Sequence, residues 1–136
     1  MSTAAYAFAA AARSLVGTRF LLHGRSRTTG LDCVGLVLEA LRLIGRPTHV
    51  PADYGLRNRD FGPFLHHFPE AGFLPCADPP CAGDLIMVRP GPAQGHLLVA
   101  MPQHSFVHAH AGLGKVVETP APLAWDEWQR WRLQDL

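Results

Sequence analysis

A cysteine becomes a nucleophile where its thiolate is stabilised and an imidazole stands by to move the proton. This chain has both residue types in abundance, with three cysteines and eight histidines in 136 residues. An odd cysteine count does not make a full disulfide framework. Cys76 and Cys81 are close enough in sequence to pair or to stay free, which leaves Cys33 over. Cys33 follows Asp32, a good helix cap, and opens a run whose apolar residues Leu36, Val37, Ala40, Leu41 and Ile44 recur at helical spacing. A helix start favours negative charge, and its unpaired N–H groups can hold an oxyanion. The plainer alternative makes Cys33 a small apolar residue on a buried helical face.

Two histidines are candidates for the base. His96 opens one short strand-like segment and His108 lies in the next, with a connection that suggests a hairpin. Neighbouring antiparallel strands bring such residues within reach of each other. His108 and His110 share a face by the two-residue period, so either can orient the base. A competing chemistry is zinc binding by His96, His104, His108, His110, Cys76 and Cys81, although the Cys76–Cys81 spacing is wide and Pro-rich.

These residues need elements to position them. Ser2–Val16 has Ala, Leu and Phe at helical spacing and stops at Gly17. A Gly-, Arg- and Ser-containing loop, Thr18–Leu31, leads to the strongest predicted helix, Asp32–Ile44, closed by Gly45 and Pro47. Pro47–Gly83 is broken by Pro and Gly, with a short helix expected at Phe61–Phe68. Strands are expected at Asp84–Arg89, His96–Met101, Phe106–His110 and Val116–Thr119, and a turn of helix leading into a last strand within Asp126–Leu136. Helices followed by strands predict an α+β domain, with N-terminal helices packed on a small antiparallel sheet. Neither a repeat nor a long linker divides residues 1–136, so one domain is expected. Trp125, Trp128 and Trp131 read as a packing stripe, His66 and His67 as surface, and Arg25 and Arg27 as loop charge beside the cleft.

At Gly30-Leu31-Asp32-Cys33-Val34-Gly35-Leu36 the chain resembles the Asp-Cys-Ser-Gly-Leu signature of the NlpC-type cell-wall cysteine peptidases. Val16-Gly17-Thr18-Arg19-Phe20 with Gly24 resembles that family's opening loop. Gly83-Asp84-Leu85-Ile86 resembles its Gly-Asp-Leu strand, His96-Leu97-Leu98-Val99 its His-Val-Gly-Ile strand, and Phe106-Val107-His108-Ala109 its Phe-Ile-His-Ala segment. The blocks come in the family's order. The resemblance implies a papain-like fold with Cys33 as nucleophile, His96 as general base and His108 as its orienting partner. It implies cleavage of amide bonds in peptidoglycan stem peptides, commonly between D-glutamate and diaminopimelate, through a thioester and without a cofactor. Asp32, Phe20 and His23 fall at substrate-binding positions. Phe20 stands where the family has Tyr, and Val34 where it has Ser. Compact members similar to this chain occur among phage and gene-transfer-agent tail peptidases, which implies phage-like tail proteins as partners.

Composition narrows the alternatives. Hydrophobic residues at 48% and charged residues at 17% belong to a globular domain. A net charge of +1 gives no support to nucleic-acid binding, and no apolar run is long enough for a membrane span. The Ala-rich start lacks a basic leader and contains Tyr6 and Arg13, so it reads as a helix of the fold. Synthesis in the cytoplasm, with action in the periplasm or cell wall after delivery by a phage-like particle, is the expectation.

Overall fold

The computed structural model describes residues 3–51, 66–90 and 95–136. Helices α1 (Thr3–Ser14) and α2 (Cys33–Leu43) flank a small hairpin of β1 (Arg25–Ser26) and β2 (Gly30–Leu31). A short helix α3 (Phe68–Ala71) precedes β3 (Phe73–Pro75), β4 (Leu85–Val88), β5 (His96–Ala100), β6 (Ser105–His110), β7 (Lys115–Pro120) and β8 (Glu127–Leu133). Strands β3 to β8 form one antiparallel sheet in the order β3-β8-β4-β5-β6-β7.

The sequence explains both long helices. Ala5, Ala9 and Ala12 line the buried side of α1 with Phe8 and Leu15, and such small side chains let α1 lie close against α2. Asp32 caps α2, which is buried over Val34–Leu41 and so presents more than an apolar stripe to its surroundings. Glu39 is tolerated inside because its carboxylate pairs with Arg42 and accepts the Arg27 N–H at 3.3 Å. Gly35 is required at this helix: a Cβ there would lie 1.9 Å from the Gly24 carbonyl oxygen.

The sheet sorts its residues by the two-residue period. Leu85, Met87, Leu97, Val99, Val107 and Ala109 join the main core under the helices. Ile86, Val88, Leu98 and Ala100 build a second, smaller core on the other face, covered by Phe106, Leu123 and Trp125. Arg132 of β8 donates from Nε and Nη2 to the buried Asp84 carboxylate, each at 2.9 Å, and the Cys81 N–H donates to it at 2.8 Å. This two-pronged contact locks the last strand to the start of β4.

The chain after Asp126 departs from expectation. The expected last strand is present as Glu127–Leu133, between β3 and β4, but no turn of helix leads into it. The three-residue spacing of the tryptophans therefore places them differently, since odd separations alternate in a strand. Trp131 is buried edge-on against Phe68 at 5.5 Å, whereas Trp128 is exposed, with the Arg89 guanidinium carbon 4.5 Å from the ring centroid. Strands β1, β2 and β3 carry too few residues to show a period and were not expected. Of the helix expected at Phe61–Phe68, residues 61–65 lie outside the described residues, and α3 begins at Phe68.

The Gly35–Gly24 approach yields a test. Gly→Ala inside a helix ordinarily stabilises by up to about 1 kcal/mol. Gly35→Ala should instead destabilise by about 1–3 kcal/mol, because the new methyl group overlaps backbone. Urea unfolding should show a lower midpoint with an unchanged slope; an unchanged or higher midpoint would refute the close approach.

Candidate active site

Asp32 assembles the first half of the site. Its backbone is extended (φ −97°, ψ −170°), as a cap requires, and Oδ1 accepts the Gly35 N–H at 2.7 Å. The same carboxylate accepts the His23 N–H at 2.8 Å through Oδ2 and the Arg25 guanidinium at 3.2 Å through Oδ1. The loop before β1 is thus tied to the start of α2, and His23 is held there in the left-handed region at φ 63°. Phe20 joins the same end: its N–H donates to the Gly114 carbonyl at 2.8 Å, it bridges Leu31, and its ring packs half-buried on the core. Of the expected substrate-binding residues, Asp32 is only 2% exposed and its carboxylate serves the scaffold. Arg25, expected as loop charge, is its ion-pair partner.

Cys33 is half-buried at the first turn of α2. Its sulfur faces the backbone N–H groups of Leu97, Val34 and Cys33 itself. The Leu97 contact puts the thiol against the backbone of β5, one residue along the chain from His96. It forms where the sheet opens, because β5 pairs with β6 through Val99↔Val107 and Ala100↔Phe106 and the first residues of β5 are not in that register.

The imidazoles meet at this opening. His96 Nε2 lies 2.9 Å from His108 Nδ1, with the rings edge to face at 5.0 Å between centroids. Both histidines have the strand parity of Leu98 and Phe106, the face away from the helices. His110 stands tilted beside His108 at 5.6 Å, and its Nδ1 accepts the Leu113 N–H at 3.0 Å. His108, not His110, is thus the ring in hydrogen-bond contact with His96.

The neighbours of the pair were not legible in the sequence. Trp125, on the connection between β7 and β8, sets its indole edge-on to His96 at 5.7 Å and to His108 at 6.1 Å. Thr119 of β7 brings Oγ1 to 3.3 Å from His108 Nε2. Both line a cavity of about 140 Å³ with His108, His110 and Leu123. Only the alternation of β7 could have pointed to Thr119; Trp125 arrives on an irregular segment with no periodic signal.

Burial sets the protonation states. The Cys33 thiol is pushed up to about 12 by burial and then by the Asp32 carboxylate, against the three N–H groups that favour the thiolate. His96 is pushed down to about 3 by burial and by His108 and His110, and His108 to about 4 by burial and by His110. The resting pair at neutral pH is therefore thiol and neutral imidazole, in contrast to the thiolate expected from the helix start alone. The helix supplies donors, but loss of water and the adjacent carboxylate outweigh them.

Of the zinc reading, His96, His108 and His110 are neighbours, whereas Cys76 and Cys81 belong to another segment. Cys76 and Cys81 are free thiols on the segment between β3 and β4, whose charged neighbour is Arg132. Among the described residues, no group of three or more His, Cys, Asp or Glu side chains could hold a metal ion. No helix among the described residues is long and apolar enough to cross a membrane.

No protein-family model matches the chain, and no curated protein matches its sequence. Solved structures do match it. The P60 domain of the antigen MAP1204 from M. avium subspecies paratuberculosis aligns over 96% of this chain and 93% of its own, with TM-score 0.64 and 18% identity. The peptidoglycan hydrolase RipB from Mycobacterium tuberculosis aligns over 98% of this chain and 66% of its own, with TM-score 0.63 and 23% identity.

The depressed imidazoles predict how stability responds to pH. Their folded values of about 3 and about 4 lie below the value of about 6.5 for free histidine, so between these limits the unfolded chain binds more protons. Their contribution is present above about pH 6.5 and is lost as the pH falls, at up to about 1.4 kcal/mol per pH unit for each proton. Denaturant midpoints should drop steeply from pH 6.5 to 4.5 in the wild type and more gently in a His96→Gln, His108→Gln double variant. Equal slopes would contradict the buried neutral pair.

Proposed function

We propose that this chain, which has the α+β fold of NlpC/P60 domains, is a cysteine hydrolase that cleaves amide bonds of peptidoglycan stem peptides. The observation that carries the proposal is the contact of the Cys33 sulfur with the N–H of Leu97, the residue after His96, together with the 2.9 Å approach of His96 Nε2 to His108 Nδ1. Because His108 takes Nε2 of His96, Nδ1 is the nitrogen left for the thiol.

In this reading the thiol proton passes to His96 Nδ1 as sulfur attacks the scissile carbonyl. The transfer and the attack proceed together, since a free thiolate is disfavoured by burial. The oxyanion is held by N–H groups at the start of α2. Collapse of the tetrahedral intermediate breaks the C–N bond, His96 returns the proton to the leaving amine, and a thioester remains. Water, deprotonated by His96, hydrolyses the thioester and restores the thiol. Every atom needed comes from the chain, the peptide and water, so no cofactor takes part. Phe20 and His23, held beside the start of α2, are the side chains we assign to contact the substrate, with Asp32 setting their position.

The bond between D-glutamate and diaminopimelate is the proposed target, on the strength of the motif resemblance. The same resemblance supports action at the cell wall after delivery by a phage-like or gene-transfer-agent particle, which would place the chain in purified particles.

The decisive experiment incubates wild type, Cys33→Ser and His96→Ala with stem peptides and whole sacculi and identifies products by mass spectrometry. The wild type should release fragments whose masses name the bond. Each variant should lose on the order of a thousandfold or more in rate. Cleavage that survives in Cys33→Ser would remove the thiol from the mechanism. No cleavage by the wild type would favour a non-catalytic module that keeps the fold.

A further inference from the structure

We infer that Thr119 is a positioning residue whose hydroxyl oxygen accepts the His108 Nε2–H and so sets the direction of the hydrogen-bond line through His108 to His96. The contacts stand on geometry alone, and the direction of the hydrogen bonds rests on the hydrolase reading. Thr119 Oγ1 lies 3.3 Å from His108 Nε2, and His108 Nδ1 lies 2.9 Å from His96 Nε2. Both nitrogens of His108 are thereby engaged, on a side chain that is 1% exposed.

A neutral imidazole has one N–H and one lone pair, so a line of two imidazoles and a hydroxyl has two possible directions. In one, His96 Nε2–H donates to His108 Nδ1, and His108 Nε2–H donates to Thr119. His96 then keeps the Nδ1 lone pair that a thiol proton needs. In the other, Thr119 donates to His108 Nε2, His108 Nδ1–H donates to His96 Nε2, and the His96 proton sits on Nδ1. His96 then has no lone pair to offer the thiol. Only Thr119 as acceptor yields a competent base.

The surroundings leave this role to Thr119. His110 is the other polar side chain beside His108, and its Nδ1 is occupied by the Leu113 N–H. Trp125 stands nearly perpendicular to the His108 ring, and an indole N–H cannot accept. The pairing of Phe106 with Thr119 and of His108 with Val117 puts Thr119 diagonally across from His108 on the adjacent strand. The hydroxyl proton of Thr119 is free to turn toward the cavity of about 140 Å³ that it lines.

Long-range ¹H–¹⁵N NMR of the imidazoles, together with peptide cleavage rates, tests this on wild type, Thr119→Val and Thr119→Ser. In the wild type at neutral pH, His96 and His108 should both carry the proton on Nε2. Thr119→Val should move the His108 proton toward Nδ1 and lower kcat at least about tenfold with KM little changed, a wrong tautomer being costly to a catalytic imidazole. Thr119→Ser should restore both tautomer and rate. A wild-type His108 protonated on Nδ1, or a Thr119→Val protein that keeps the Nε2–H form, would overturn the inference. Absence of wild-type cleavage combined with the tautomer change would support the Thr119 assignment while removing the hydrolase reading, so the two failures are distinct.

Discussion

The buried carboxylate of Asp32 is the constraint on which the rest of the site depends. It satisfies the Gly35 N–H at the start of α2 while holding the His23 N–H and the Arg25 guanidinium. One anion thus fixes the helix that presents Cys33 and the loop that borders it. Loss of a cap alone typically costs about 0.5–2 kcal/mol. Here the change would also leave donors unsatisfied beside a nearly dry thiol. The same charge opposes thiolate formation, so the group that positions Cys33 also helps to hold its thiol protonated at rest.

That conflict is resolved by geometry at the open end of the β5–β6 pair. A helix dipole by itself would lower the thiol's pKa, but burial and Asp32 raise it to about 12. In the proposed hydrolase, chemistry depends on proton transfer during attack, and therefore on which nitrogen of His96 carries a hydrogen. The imidazole line and the dry wall supplied by Trp125 both bear on this. Trp125 packs against both rings, and their burial keeps both histidines neutral.

The sheet behind the site is closed by its latest residues. Strand β8 inserts between β3 and β4, and Arg132 anchors it on Asp84. The connection that precedes it carries Leu123 and Trp125 over the second core and against the imidazoles. The chain's end therefore completes both the fold and the enclosure of the site.

The sequence by itself determined what local chemistry and period can encode. The Asp32 cap followed by apolar residues at helical spacing located α2 within a residue at each end. Short apolar segments between turn residues located β4 to β7, and the two-residue period put His108 and His110 on one face. What only the tertiary structure decided are the pairings between distant segments: His108 rather than His110 against His96, Thr119 behind it, Trp125 beside them, and the place of β8 between β3 and β4. A strand that inserts between two others is buried by neighbours far away in sequence, so the packing stripe expected of Trp125, Trp128 and Trp131 divides into buried Trp131 and exposed Trp128. The resting protonation state belongs to the same category. The cap and helix start are visible in sequence and favour a thiolate, but the desolvation that reverses this arises only when β5, β6 and the segment before β8 close around the thiol and the imidazoles.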